Sequence, residues 1–139
     1  MIGFAANALE VVLIAWACWV VLNFSMMLLS AFVLRPNQPC FTGFAIVIPA
    51  WVREALTELE LAAIVAHEQG HRAHRHVWMN FAAVCVFTPS GPARRLRQEH
   101  EADDYAATRG HAAALASALV KLSTHPNDLE RAARLLRSI

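Results

Sequence analysis

Hydropathy divides the chain into unlike parts. Residues 11–34, VVLIAWACWVVLNFSMMLLSAFVL, hold no charged side chain. About 20 apolar residues cross a bilayer's hydrocarbon core as a helix, so this run predicts one membrane-spanning helix. Residues 1–35 then form an anchor and 36–139 a separate domain. No basic n-region or small-residue cleavage site flanks the run, which argues against a removable signal peptide. RPNQPCFTG (35–43) reads as a linker. FAIVIP (44–49) reads as a short strand ended by Pro49. TELE (57–60) is a capping box that starts a helix near residue 58. VWMNFAAVCVF (77–87) is apolar but too short to span alone; it continues that helix, lies at the membrane interface or packs on the anchor. TPSGP (88–92) breaks the chain. Helices follow over 92–109, stopped by Gly110, and over 111–122. A last helix starts after THPN, capped by Asn127 or Asp128, with Leu129, Ala132, Ala133 and Leu136 as one apolar stripe. The predicted fold is mainly α with a small β edge strand, behind an N-terminal transmembrane helix.

Composition sharpens this picture. The chain has 139 residues, 57% of them hydrophobic, with a mean hydropathy of +0.38. A net charge of +1 gives no case for a nucleic-acid partner. Cys18, Cys40 and Cys85 are an odd set without metal-ligand spacing. Cys18 and Cys85 lie in apolar runs and read as packed thiols rather than a disulfide framework. All 12 Lys and Arg residues follow the apolar run, and only Glu10 precedes it. That bias favours a single-pass protein of the cell membrane with a cytoplasmic C-terminal domain.

The chemistry concentrates in AIVAHEQGHRAH (63–74). His67, Glu68 and His71 form HExxH. On a helix, positions i and i+4 differ by about 40° in direction and about 6 Å in height, so both imidazoles reach one metal ion. Glu68 stands beside them to take a proton from an activated water. Two solvated helix histidines are the plainer reading, but the apolar LAAIVA just before them disfavours it. A third ligand is needed. A metzincin would place Gly at 74 and His at 77; His74 and Val77 exclude that class. QEHEADDYAATRG (98–110) offers carboxylates on a second helix. Glu99 and Asp103 share a face with Ala102 and Ala106, whose small side chains, with Gly70 opposite, let two helices approach closely. Glu99 is read as the third ligand and Asp103 as the acceptor of an imidazole N–H. Glu101 points about 200° away from Glu99 and is the weaker candidate. His76, Arg72 and Arg75 read as a solvated or headgroup-facing patch; His74 faces the side of His67, one turn past His71, and reads as a polar surface residue. Trp16, Trp19, Trp51 and Trp78 read as core or interface anchors.

With HExxH, EHEAD and STHPNDLER in this order, the chain resembles the membrane gluzincin metallopeptidases of the HtpX and CAAX prenyl protease type. The resemblance covers about 44–139, with a short segment between His71 and Glu99. It implies a compact gluzincin-type protease domain with one Zn²⁺ per chain on His67, His71 and Glu99, and Glu68 as general base. It implies that His125 stabilises the oxyanion or protonates the leaving group. Arg131 matches the arginine of the last signature, structural or close to the site.

The expected function is a membrane-anchored zinc endopeptidase acting on polypeptide that is unfolded or adjacent to the bilayer. The open edge of the 44–48 strand would receive substrate as an added strand. Two alternatives stand beside it: a non-enzymatic module stapled by zinc, and a zymogen or sensor peptidase whose own chain covers the cleft. An intact Glu68 speaks against the purely structural zinc.

Overall fold

The computed structural model describes residues 2–34, 36–88, 91–123 and 125–138. Arg35, Pro89 and Ser90 and Thr124 therefore lie outside the described residues, and with them the anchor boundary, the middle of TPSGP and the Thr of the THP signature. Among the described residues the elements run α1 (Ile2–Phe32), β1 (Cys40–Phe41), β2 (Ile46–Val47), α2 (Ala50–Ala55), α3 (Glu58–Ala73), α4 (His76–Cys85), α5 (Pro92–Ala107), α6 (Ala112–Leu122) and α7 (Pro126–Arg137). The fold is mainly helical with a two-stranded sheet, as the pattern predicts. The stretch Asn7–Phe32 of α1 is long and apolar enough to cross a membrane.

The strand is shorter than expected, and its partner comes from the linker. β1 pairs antiparallel with β2, Cys40 opposite Val47 and Phe41 opposite Ile46. Thr42 and Gly43 make the turn between them: Thr42 exchanges hydrogen bonds with Ala45, and Gly43 adopts φ +95°. Helix α2 fills the gap before the capping box and was not legible in the sequence; it buries Val52.

α3 starts where the capping box demands. Thr57 Oγ1 accepts from the Glu60 amide, and the Glu60 carboxylate accepts from the Thr57 amide. Glu60 also receives Ser117 Oγ (2.6 Å) and Lys121 Nζ (2.8 Å) from α6, so a local cap becomes a tertiary tie. The core lies between α3, α5, α6 and α7 around Ile64, Ala66, Ala106, Leu115, Leu119 and Leu135. Each large aliphatic side chain buried there contributes roughly 1.5–3 kcal/mol.

The seam between α3 and α5 is narrow because Gly70 has no side chain. A Cβ on Gly70 would sit 2.8 Å from Ala102 Cα and 3.1 Å from Tyr105 Cβ. This close approach brings the carboxylates of α5 to the histidines of α3.

Three expectations need correction. α7 is capped by His125, whose Nδ1 accepts from the Asn127 amide at 3.2 Å, not by Asn127 or Asp128. Its buried face is Arg131, Ala132 and Leu135, while Leu129 and Leu136 are exposed. That face brings Arg131 to Asp103, and a buried Asp103 left without its cation would be strongly destabilising. Cys18 is exposed on α1, although Cys85 is buried as expected.

Residues 77–87 do not continue α3. Arg75, at φ +56°, breaks the chain direction, and α4 starts anew and packs along α1.

Candidate metal centre

α3 presents His67 and Glu68 from its buried side and His71 one turn later, half-buried. α5 presents Glu99. The three ligand groups converge: His67 Nε2 and His71 Nε2 are 3.1 Å apart, and Glu99 places one oxygen 3.4 Å from the first and the other 3.6 Å from the second. A tetrahedral zinc with bonds of about 2.0–2.1 Å separates its ligand atoms by roughly 3.3 Å. The spacing and the two-imidazole, one-carboxylate donor set both fit that ion.

The outer ring nitrogens are engaged, which leaves both Nε2 atoms for the metal. His67 Nδ1 stands 2.9 Å from Asp103 Oδ1, an ion-pair approach whose angle falls outside hydrogen-bond geometry. Arg131 holds Asp103 in turn and also places Nη1 3.0 Å from Glu99. One buried guanidinium on α7 thus fixes two of the carboxylates of α5, Asp103 and Glu99.

His71 has a partner that the sequence reading missed. Its Nδ1 lies 2.8 Å from His76 Nδ1, and His76 Nε2 lies 2.8 Å from Glu101 Oε2. His76 is 2% exposed, so it does not belong to a solvated patch. Glu101, weak as a ligand, instead serves this second histidine. Spacing hid the arrangement: His76 lies beyond the left-handed Arg75, where helical periodicity no longer applies. His74, Arg72 and Arg75 are exposed as expected, with the His74 ring stacked 5.5 Å from His76.

The electrostatics follow from burial and these pairings. Burial opposes the His67 imidazolium, but the Asp103 and Glu99 carboxylates outweigh it and raise its pKa to about 9. Burial likewise opposes the Glu99 carboxylate, yet His67 and His71 hold it well below the usual range. Glu68 differs. Burial raises its pKa, only partly offset by His67, His71 and the Phe41 backbone amide. A carboxylate moved toward neutrality is suited to accept and return a proton.

The site opens into a cavity of about 390 Å³ lined by Cys40, Phe41, His67, Glu68, His71, Glu99 and Arg131 among others. The strand beside it is β1, not the expected 44–48 edge. His125 stands apart from this cavity. It is exposed and lines a neighbouring hollow with Glu99, Asp128 and Arg131. The Arg109 guanidinium covers the Tyr105 ring, 3.4 Å from its centroid.

Residues 29–94 match the model of peptidase family M48. That interval holds β1, β2, His67, Glu68 and His71, and ends before Glu99. No curated protein and no solved structure matches the chain.

Proposed function

We propose that this chain, whose residues 29–94 match the model of peptidase family M48, is a membrane-anchored zinc endopeptidase of that family whose ligands are His67, His71 and Glu99 and whose general base is Glu68. The observation that carries the proposal is the convergence of the two imidazole Nε2 atoms, 3.1 Å apart, with the two Glu99 oxygens, 3.4 Å from one and 3.6 Å from the other, beside a buried Glu68. Among the described residues this group comprises three side chains. Three protein ligands leave a position open for water or substrate, as catalytic zinc requires and a four-ligand structural site does not.

Bound zinc would supply Lewis acidity, making water nucleophilic near neutral pH and polarising the scissile carbonyl. The chain supplies the rest. Glu68 accepts the proton of the attacking water and returns it to the leaving amine, with the Phe41 amide holding its carboxylate in place. Asp103 and His76 orient the two imidazoles. His67 and His71, and after them Arg131, favour the ionised form of Glu99. Substrate lies extended along β1, across the open cavity. His125, at the rim of the hollow it shares with Glu99, is the candidate partner of the oxyanion or leaving group. α1 is the anchor, and the basic residues that follow it favour a cytoplasmic domain.

The ligand assignment is tested by metal analysis. Purified protein should carry about one Zn²⁺ per chain, and Glu99→Ala should lose most of it under mild chelation. Unchanged zinc retention in Glu99→Ala would remove Glu99 from the ligand set.

A further inference from the structure

The C-terminal end of α4 is finished in an unusual way. The last carbonyls of a helix lack intrahelical donors, and in a soluble protein water serves them. Here Val86 N–H donates to Ala82 O, Thr88 N–H to Ala83 O and Phe87 N–H to Val84 O. Two tryptophans of α1 complete the set: Trp16 Nε1–H donates to Cys85 O at 2.9 Å, and Trp19 Nε1–H to Val84 O at 3.1 Å. The closure requires Phe87 at φ +57°, a conformation usually left to glycine. The Phe87 ring stacks on Trp19 with centroids 5.6 Å apart.

This end is also apolar and uncovered. Val86 is 61% and Phe87 65% exposed. Satisfaction of the last four carbonyls of α4, Ala82 to Cys85, beneath an exposed apolar tip is what hydrocarbon demands and water does not. α4 runs antiparallel to α1, with Phe81 against Phe24 at 5.9 Å and Cys85 against Trp16. Trp16 and Trp19 lie near the middle of the Asn7–Phe32 stretch. Asn80, the polar residue midway along α4, is paired with Gln98 through two amide hydrogen bonds. α5 opens with basic residues, and Arg94 reaches the Met79 carbonyl, which sets the headgroup level near Met79. From there to the tip, helical rise gives roughly 10 Å.

We propose that α4 enters the bilayer as a half-span beside α1, with Val86 and Phe87 in hydrocarbon and Trp16 and Trp19 capping its terminal carbonyls. The proposal rests on the reading of α1 as a membrane span. His76, at the opposite end of α4, supports His71, so the inserted helix would also hold the metal centre close to the membrane surface.

Nitroxide accessibility in the full-length protein tests this. Cys18, Cys40 and Cys85 are first replaced, and the protein is placed in phosphatidylcholine vesicles. A single spin label then goes on Val86→Cys, Val21→Cys or Leu136→Cys. The expected ratio of oxygen to nickel-chelate collisions at 86 equals that at 21 and far exceeds that at 136. A ratio at 86 matching 136, with 21 in hydrocarbon, would overturn the half-span and leave the anchor standing. A ratio at 21 matching 136 would overturn the anchor itself, and the half-span with it. Weak collisions with both reagents and an immobile label at 86 would mean that a second copy covers the tip, against the proposal. In Trp16→Phe/Trp19→Phe, which keeps the rings but removes both donors, nickel collisions at 86 should rise as water reaches the uncapped carbonyls. No rise would overturn the capping role.

Discussion

Arg131 grips the Asp103 carboxylate with two hydrogen bonds, Nε to Oδ2 at 2.9 Å and Nη2 to Oδ1 at 2.8 Å, and both side chains are buried. Burial opposes the Arg131 charge, but Asp103 and then Glu99 outweigh it and raise its pKa further. The pair ties α7 to α5 and sets the carboxylate that meets His67. Arg131→Met should therefore do more than unlink two helices. Breaking a buried pair from one side typically costs about 3–5 kcal/mol, read as a fall in urea-unfolding stability. Zinc affinity should fall with it, because Asp103 and Glu99 lose their shared clamp. A stability loss with zinc affinity intact would confine Arg131 to the fold.

The His71–His76–Glu101 chain allows a prediction about protons. If His71 binds metal through Nε2, its Nδ1 carries hydrogen and donates to His76 Nδ1. His76 must then carry its own hydrogen on Nε2 and donate to Glu101. His76→Phe keeps a buried ring but removes the acceptor. Loss of such an outer partner typically weakens metal binding by about 10–100-fold, measurable by competition with a chromogenic chelator. Equal affinity would show that His71 needs no such support.

Legibility in the sequence followed locality. The capping box at Thr57 and Glu60 and the HExxH of α3 are short-range patterns with one geometric solution each, and both could be read directly. The shared face of Glu99 and Asp103 was equally legible, because one continuous helix carries both. His76 was not: Arg75 enters the left-handed region between it and α3, so counting turns from His71 failed. The buried face of α7 was misread because Leu129 and Leu136 mark a stripe by hydropathy, whereas the tertiary partner Asp103 selects Arg131. α2 escaped because six residues carry too little periodicity, and the two residues of β1 lie where prolines at 36 and 39 resemble a linker.

His125 offers two separable roles. As the cap of α7 its loss in His125→Ala should cost about 0.5–2 kcal/mol. As an oxyanion partner its loss should lower kcat on the order of 100-fold with KM nearly unchanged. His125→Asn restores a capping acceptor without an imidazole. If Asn recovers stability but not kcat, the histidine acts on substrate; if it recovers both, the cap is its whole contribution.

Acid should loosen the α3–α6 tie. The Lys121 ammonium, with Ser117 and the Thr57 amide, lowers the Glu60 pKa from 4.5 to about 2. A depressed folded-state value means that this contribution is complete above the unfolded value, near 4.5, and is lost as pH falls toward about 2. Lys121→Met should therefore flatten the acid limb of the stability profile between those values. An identical acid limb in variant and wild type would show that Lys121 does not govern Glu60.

The central claim, that Glu68 drives peptide hydrolysis at a zinc held by its neighbours, is tested most directly by comparing wild type and Glu68→Gln on a disordered protein substrate at equal zinc content. The carboxamide fills the same space and leaves the ligand set intact, but it cannot accept the proton of water. Wild type should cleave, chelation should stop it, and Glu68→Gln should retain its zinc and lose activity by at least about 100-fold. Equal cleavage by the two zinc-loaded proteins would contradict the account.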